Sequence, residues 1–133
     1  MAPERIVYLV TADDAGMTVA ALAERLAGAS GALAAARGGV WLDGCRVAAP
    51  DVRLSAGAAL ELRLPPEAGY REVELEPADI AYEDPWLIAL HKRAGWYVSA
   101  TPWDARGNVL AALTGYLAAR DGVAPPLHLA HRL

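Results

Sequence analysis

Val40-Trp41-Leu42-Asp43-Gly44-Cys45-Arg46-Val47 is the stretch whose reading decides how the first half of this chain folds. Two short β-prone runs flank an Asp-Gly dipeptide. A two-residue turn with positive φ at both central positions lets neighbouring strands keep their natural twist, and Asp-Gly is among the pairs that enter it most readily. The stretch therefore reads as a tight hairpin. Strand alternation assigns Val40, Leu42, Cys45 and Val47 to one buried face.

Toward the N-terminus, apolar Val19, Leu22, Ala23 and Leu26 recur at helical spacing over residues 18–26, with Glu24 and Arg25 on the other side. Residues 28–31 interrupt that helix, and residues 32–37 form a short second one that Gly38-Gly39 end. Before the pair, residues 5–10 are a β-branched run. Thr11-Ala12-Asp13-Asp14-Ala15-Gly16 then supplies turn formers and helix-capping side chains. Toward the C-terminus, residues 50–55 read as a loop, Gly57 as a turn, and residues 59–64 as a closing strand.

Pro65-Pro66-Glu67-Ala68-Gly69-Tyr70 has linker composition, and residues 71–76 add alternating charge in extended form. The expected organisation is a small domain over residues 1–64, a linker over 65–78 and a second domain over 79–133. In that domain residues 79–83 read as a strand, Asp84-Pro85 as a turn, and residues 86–91 as an apolar strand of the kind buried on both faces. Gly95 lets the chain turn. Asn108 caps a helix to about Arg120 with Val109, Leu113, Tyr116 and Leu117 on one side, and Pro125-Pro126 stop any helix. The fold class expected is α+β.

Hydrophobic residues at 55% and charged residues at 21% place the chain among globular proteins. Net charge is −4, with six basic against seven acidic residues in the first 65 positions and six against nine in the rest. That is a poor footprint for nucleic acid, so any RNA affinity is expected to be weak and strongly reduced by salt. Cys45 is the single cysteine, which excludes an internal disulfide and a thiolate metal site within one chain. A reducing cytosol is the plain expectation. No stretch reads as a membrane span, and the first residues lack the apolar core of a secretion signal, so neither is expected.

The second half carries a set of ordered blocks. Ile80-Ala81-Tyr82-Glu83-Asp84 precedes the apolar strand, His91-Lys92-Arg93-Ala94-Gly95 follows it, Asn108-Val109-Leu110-Ala111-Ala112-Leu113 opens the helix, and His131-Arg132-Leu133 closes the chain. These blocks resemble the RluA-like family of RNA pseudouridine synthases. Its members read Ile-x-Tyr-Glu-Asp, an apolar strand, Asn-Lys-Pro-x-Gly, a helix, and then the catalytic His-Arg-Leu-Asp. The sequence departs from the family at Arg93, where proline is usual, and at Ser99-Ala100, where many members carry His-Pro. The first half is similar to the small RNA-binding domain first described in ribosomal protein S-four, carried by many RluA-like enzymes: two helices, a tight hairpin, and a Leu54-Ser55-Ala56-Gly57-Ala58 turn into a final strand. The helices of that domain usually present several basic residues, and here offer Arg25 and Arg37.

The resemblance implies a fold with a small N-terminal RNA-binding domain and the start of a mixed, largely antiparallel-sheet synthase domain. It implies isomerisation of uridine to pseudouridine in rRNA or tRNA without cofactor or metal, using an aspartate carboxylate beside C1′. That aspartate would follow Leu133, so the chain as given is expected to be inactive. His131, Arg132, Leu133 and Lys92 are the expected active-site neighbours, with Arg132 holding the flipped-out nucleotide. Arg25, Arg37, Arg46, Lys92 and Arg93 are the expected RNA contacts, and Trp96 or Trp103 the aromatics available for base stacking, although core packing is the commoner use.

The other acids, Glu83, Asp84, Asp104 and Asp121, read as solvated surface groups and not as nucleophiles. His91, His128 and His131 lack the spacing of a zinc site. The expected partner is structured RNA, with no membrane or metal, in the cytoplasm, and with self-association through an unpaired sheet edge as a further expectation. Two rival expectations remain: a stand-alone RNA-binding or interaction module without catalysis, and a truncated product with no activity.

Overall fold

The computed structural model describes residues 3–131 and is a mixed α+β structure with two α-helices and antiparallel sheets. It divides into two compact units, residues 1–70 with Thr101–Ala105, and Arg71–Ala100 with residues 106–133. Arg132 and Leu133, two of the expected active-site neighbours, lie outside the described residues.

The first unit contains strands β1 (Arg5–Leu9), β2 (Val40–Leu42), β3 (Cys45–Arg46) and β4 (Ala59–Arg63), and helix α1 (Val19–Arg37). The sheet order is β1-β4-β2-β3 with every pairing antiparallel. β2 and β3 form the expected hairpin, and its turn has φ +49° at Asp43 and +83° at Gly44, the pairing of conformations that Asp-Gly supplies. Val40 is buried, and Leu42 and Val47 are partly so. Cys45, expected on that face, is exposed, because this short strand is at the sheet edge and its face runs out past the core.

Helix α1 is two legs. Ala27 (φ −141°, ψ 16°) and Gly28 (φ +62°, ψ −145°) leave helical geometry, so the expected interruption falls one residue early, and the second leg begins at once. The legs pass so closely that a Cβ on Gly31 would sit 1.9 Å from the Ala23 carbonyl oxygen. Thr18 caps the start by accepting from the Ala21 amide, and Gly38 in the left-handed conformation ends the second leg. Val19, Leu22 and Ala23 of the first leg and Ala34 and Ala35 of the second meet Val10, Val40, Leu54, Leu60 and Leu62 in one core. That burial of apolar surface is what makes the unit fold.

The second unit pairs β5 (Ile80–Glu83) with β6 (Ile88–Leu90) and carries α2 (Val109–Asp121). Asn108 caps α2 by accepting from the Ala111 amide, and Val109, Leu113 and Leu117 are buried on the expected face. The strand expected to be buried on both faces is not: Ala89 is exposed, Ile88 and Leu90 are half-buried, and Trp86 before it is 92% exposed. An apolar run alone does not distinguish a covered strand from an uncovered one.

Candidate nucleic-acid interface

Asp14 organises the N-terminal side of the first unit. It is 2% exposed and accepts from the Tyr8 hydroxyl (2.6 Å), the Thr11 amide (3.0 Å) and the Thr11 hydroxyl (2.8 Å). Arg25 closes the cluster at 2.7 Å from Asp14 and donates to the Tyr8 oxygen at 3.0 Å. The bond from Tyr8, followed by those from Thr11, holds the Asp14 carboxyl well below the usual carboxylate range, and the same carboxylate pushes the Tyr8 hydroxyl up. Arg25, expected to face RNA, is thus anchored to the fold. Thr11-x-x-Asp14 has the form of a capping box, which was the signal for this arrangement.

Arg37 and Arg46, in the same unit, both reach the segment Thr101–Ala105. Arg37 forks onto Asp104, with Nε 3.1 Å from Oδ1 and Nη2 2.7 Å from Oδ2, and its guanidinium lies 4.7 Å from the Tyr70 ring centre. Asp104, expected to be a solvated surface acid, is 3% exposed. That expectation is corrected by the ion pair that accompanies its burial. Arg46 donates to the Gly38 and Thr101 carbonyls and stacks 4.6 Å from the Trp41 ring. Burial pushes its guanidinium down from the ordinary value against the opposing pull of the Asp104 charge. Burial likewise raises the Tyr70 hydroxyl. Arg5 and Arg63 both reach Glu61, and Arg53 donates to the Gly16 carbonyl at 2.7 Å.

In the second unit, Arg93 clamps Asp79 through Nε at 3.1 Å and Nη2 at 3.0 Å, and lies 5.0 Å from the Trp96 ring. The Glu76 amide first, and Arg93 after it, hold Asp79 below its ordinary value. Asp84 closes the β5–β6 turn by accepting from the Trp86 (2.7 Å) and Leu87 (2.8 Å) amides and from the Tyr82 hydroxyl (2.9 Å), bonds that lower its carboxyl. Glu83 is lowered by its bonds from Arg120, at 2.6 Å and 2.8 Å. Lys92 stands exposed beyond β6, with a long 3.4 Å contact to the Arg93 carbonyl, and His131 is exposed. Of the expected RNA contacts, Arg46 and Lys92 are the two that bond to carbonyls here and not to an acidic side chain, and Lys92 is the one that stands exposed.

Among the described residues no group of three or more His, Cys, Asp or Glu side chains is arranged to hold a metal ion. Sequence reasoning missed Asp14, Asp104, Trp41 and Tyr70. For the last three no local pattern existed, since Asp104 and Arg37 are 67 positions apart. Comparisons with protein-family models, curated proteins and solved structures find no match to this chain.

Proposed function

We propose that the chain serves uridine isomerisation in RNA, as the N-terminal portion of a pseudouridine synthase in which a small RNA-binding unit precedes the first elements of the catalytic domain. The observation that carries the reading is the order of the blocks at residues 80–96, 108–113 and 131–133, three of whose positions have definite backbone tasks. Asp84 ties the hairpin turn, Gly95 turns the chain at φ +83°, and Asn108 caps α2. Motif positions with such tasks are those a fold cannot readily exchange.

In the reaction the C1′–N1 bond of uridine breaks, the base turns, a C1′–C5 bond forms, and the C5 proton leaves while N1 gains one. The exposed ammonium of Lys92 supplies a phosphate contact near such a base, and Arg132 a contact to the flipped nucleotide. The reading requires an aspartate codon directly after that of Leu133 in the coding DNA, with Thr-Ser-Gly a few codons on. RNA labelled with tritium at uridine C5 then tests the encoded protein. Tritium release that falls at least a hundredfold on Arg132→Ala is the expected result; a protein that binds RNA and releases none contradicts it.

The competing reading, an RNA-binding or interaction module without catalysis, draws on the first unit having its own hydrophobic core. It accommodates RNA binding with no tritium release.

A further inference from the structure

All six arginines of residues 1–70 have a protein partner: Arg5 and Arg63 on Glu61, Arg25 on Asp14, Arg53 on the Gly16 carbonyl, Arg37 on Asp104 and Arg46 on two carbonyls. For Arg37, whose fork is taken up by the buried Asp104 carboxylate, to hold RNA phosphate, that carboxylate must leave. One short piece of chain, Thr101–Ala105, which belongs to this unit although it is distant in sequence, takes up the Arg37 fork and one of the two Arg46 carbonyl bonds, the other going to Gly38.

That piece is seated by convergent donors. Arg37 forks onto the Asp104 carboxylate, Trp41 Nε1 donates to the Pro102 carbonyl at 2.9 Å, and Arg46 donates to the Thr101 carbonyl. The Ala105 amide returns a bond of 2.7 Å to the Arg37 carbonyl. The Tyr70 hydroxyl, beside the same guanidinium, is buried without a hydrogen-bond partner. Two guanidiniums each laid on an aromatic ring, an indole N–H and an unused phenol make a cleft for an anion carried on a flat, stackable group. A carboxylate forked on arginine has the geometry that a phosphate adopts there. Within this chain, Asp104 takes the anion's place.

We infer that Thr101–Ala105 is an autoinhibitory strap, which fills a phosphate-binding cleft of the small unit and must lift before RNA enters it. The inference rests on the RNA reading proposed above. If the open cleft is populated in at most about a tenth of molecules, the apparent affinity is lowered at least about tenfold. Removing the carboxylate takes away the fork that seats the strap on Arg37, which loosens it.

The test compares the 133-residue chain with its Asp104→Ala variant for binding to a labelled hairpin RNA between about 50 and 200 mM salt. Asp104→Ala is expected to bind about tenfold tighter, with a steeper salt dependence as two more phosphates are neutralised. The gain should vanish in Asp104→Ala/Arg37→Ala and be absent in Asp13→Ala, which removes an equal charge from an exposed site. Equal affinity of the parent chain and Asp104→Ala overturns the strap while leaving RNA binding intact. No binding by either overturns the RNA reading of this unit and the strap with it. Should Asp104→Ala lose its fold by circular dichroism, Asp104→Asn keeps the side chain's shape and removes only the charge that seats it on Arg37. That variant must tighten binding by a smaller factor, and unchanged affinity there also overturns the strap.

Discussion

Asp14 shows how a single buried carboxylate is made safe: three hydrogen bonds and one guanidinium replace the water it gives up. Its folded-state pKa lies below the unfolded one, so its stabilising contribution is present above about pH 4 and fades as pH falls below that value. Asp14→Asn is therefore expected to melt several degrees lower at neutral pH, with the gap to the parent closing toward about pH 2 in a series of thermal melts. A gap that stays constant across that range would assign the loss to shape and not to charge. Gly31 is a second decisive residue. A Cβ there meets backbone that has no freedom to retreat, so Gly31→Ala should cost on the order of 3 kcal/mol by chemical denaturation. The roles of Asp43-Gly44 and Asn108 were legible in the sequence because a tight turn and a helix cap are local, whereas the capping side chain of the first helix was expected within residues 11–16 and is Thr18. The pairing of Arg37 with Asp104 was not legible, since nothing local announces a contact made across the chain.

Helix α2 and the hairpin β5–β6 show what periodicity reads well and what it leaves open. A stripe at 3.6-residue spacing needs a core along one side, and Val109, Leu113 and Leu117 are buried accordingly. Gly115 occupies the opposite, exposed face with nothing within 4 Å of an added Cβ. Gly115→Ala is therefore expected to stabilise by about 0.8 kcal/mol, opposite in sign to Gly31→Ala. Asn108→Ala should cost about 1 kcal/mol, seen as faster amide exchange in the first turn of the helix. The apolar run of residues 86–91 gave no such guidance. Its composition suits a strand covered on both sides, yet Trp86 and Leu87 face outward at the tip, so Trp86→Ser should change stability by less than about 0.5 kcal/mol.

At the scale of the whole chain, electrostatics sets the terms for any polyanion. The net charge is −4, and Arg25, Arg37, Arg46 and Arg93 are engaged with acids or carbonyls of the protein. Under the RNA reading, this engagement predicts a shallow salt dependence for the parent chain, with a log–log slope no steeper than about −3. A titration series in potassium chloride measures it, and a slope near −8 would show a basic surface that these ion pairs do not leave. The α+β character was legible from alternation and helical spacing. The membership of Thr101–Ala105 in the first unit was not, because it depends on contacts between distant positions. The kink of α1 has a consequence of its own. By length and composition Val19–Arg37 is the one helix among the described residues apolar enough to cross a bilayer. Folded at Ala27 and Gly28, it presents two legs of about 12–14 Å at about 1.5 Å per residue, and neither reaches through a hydrocarbon layer about 30 Å thick.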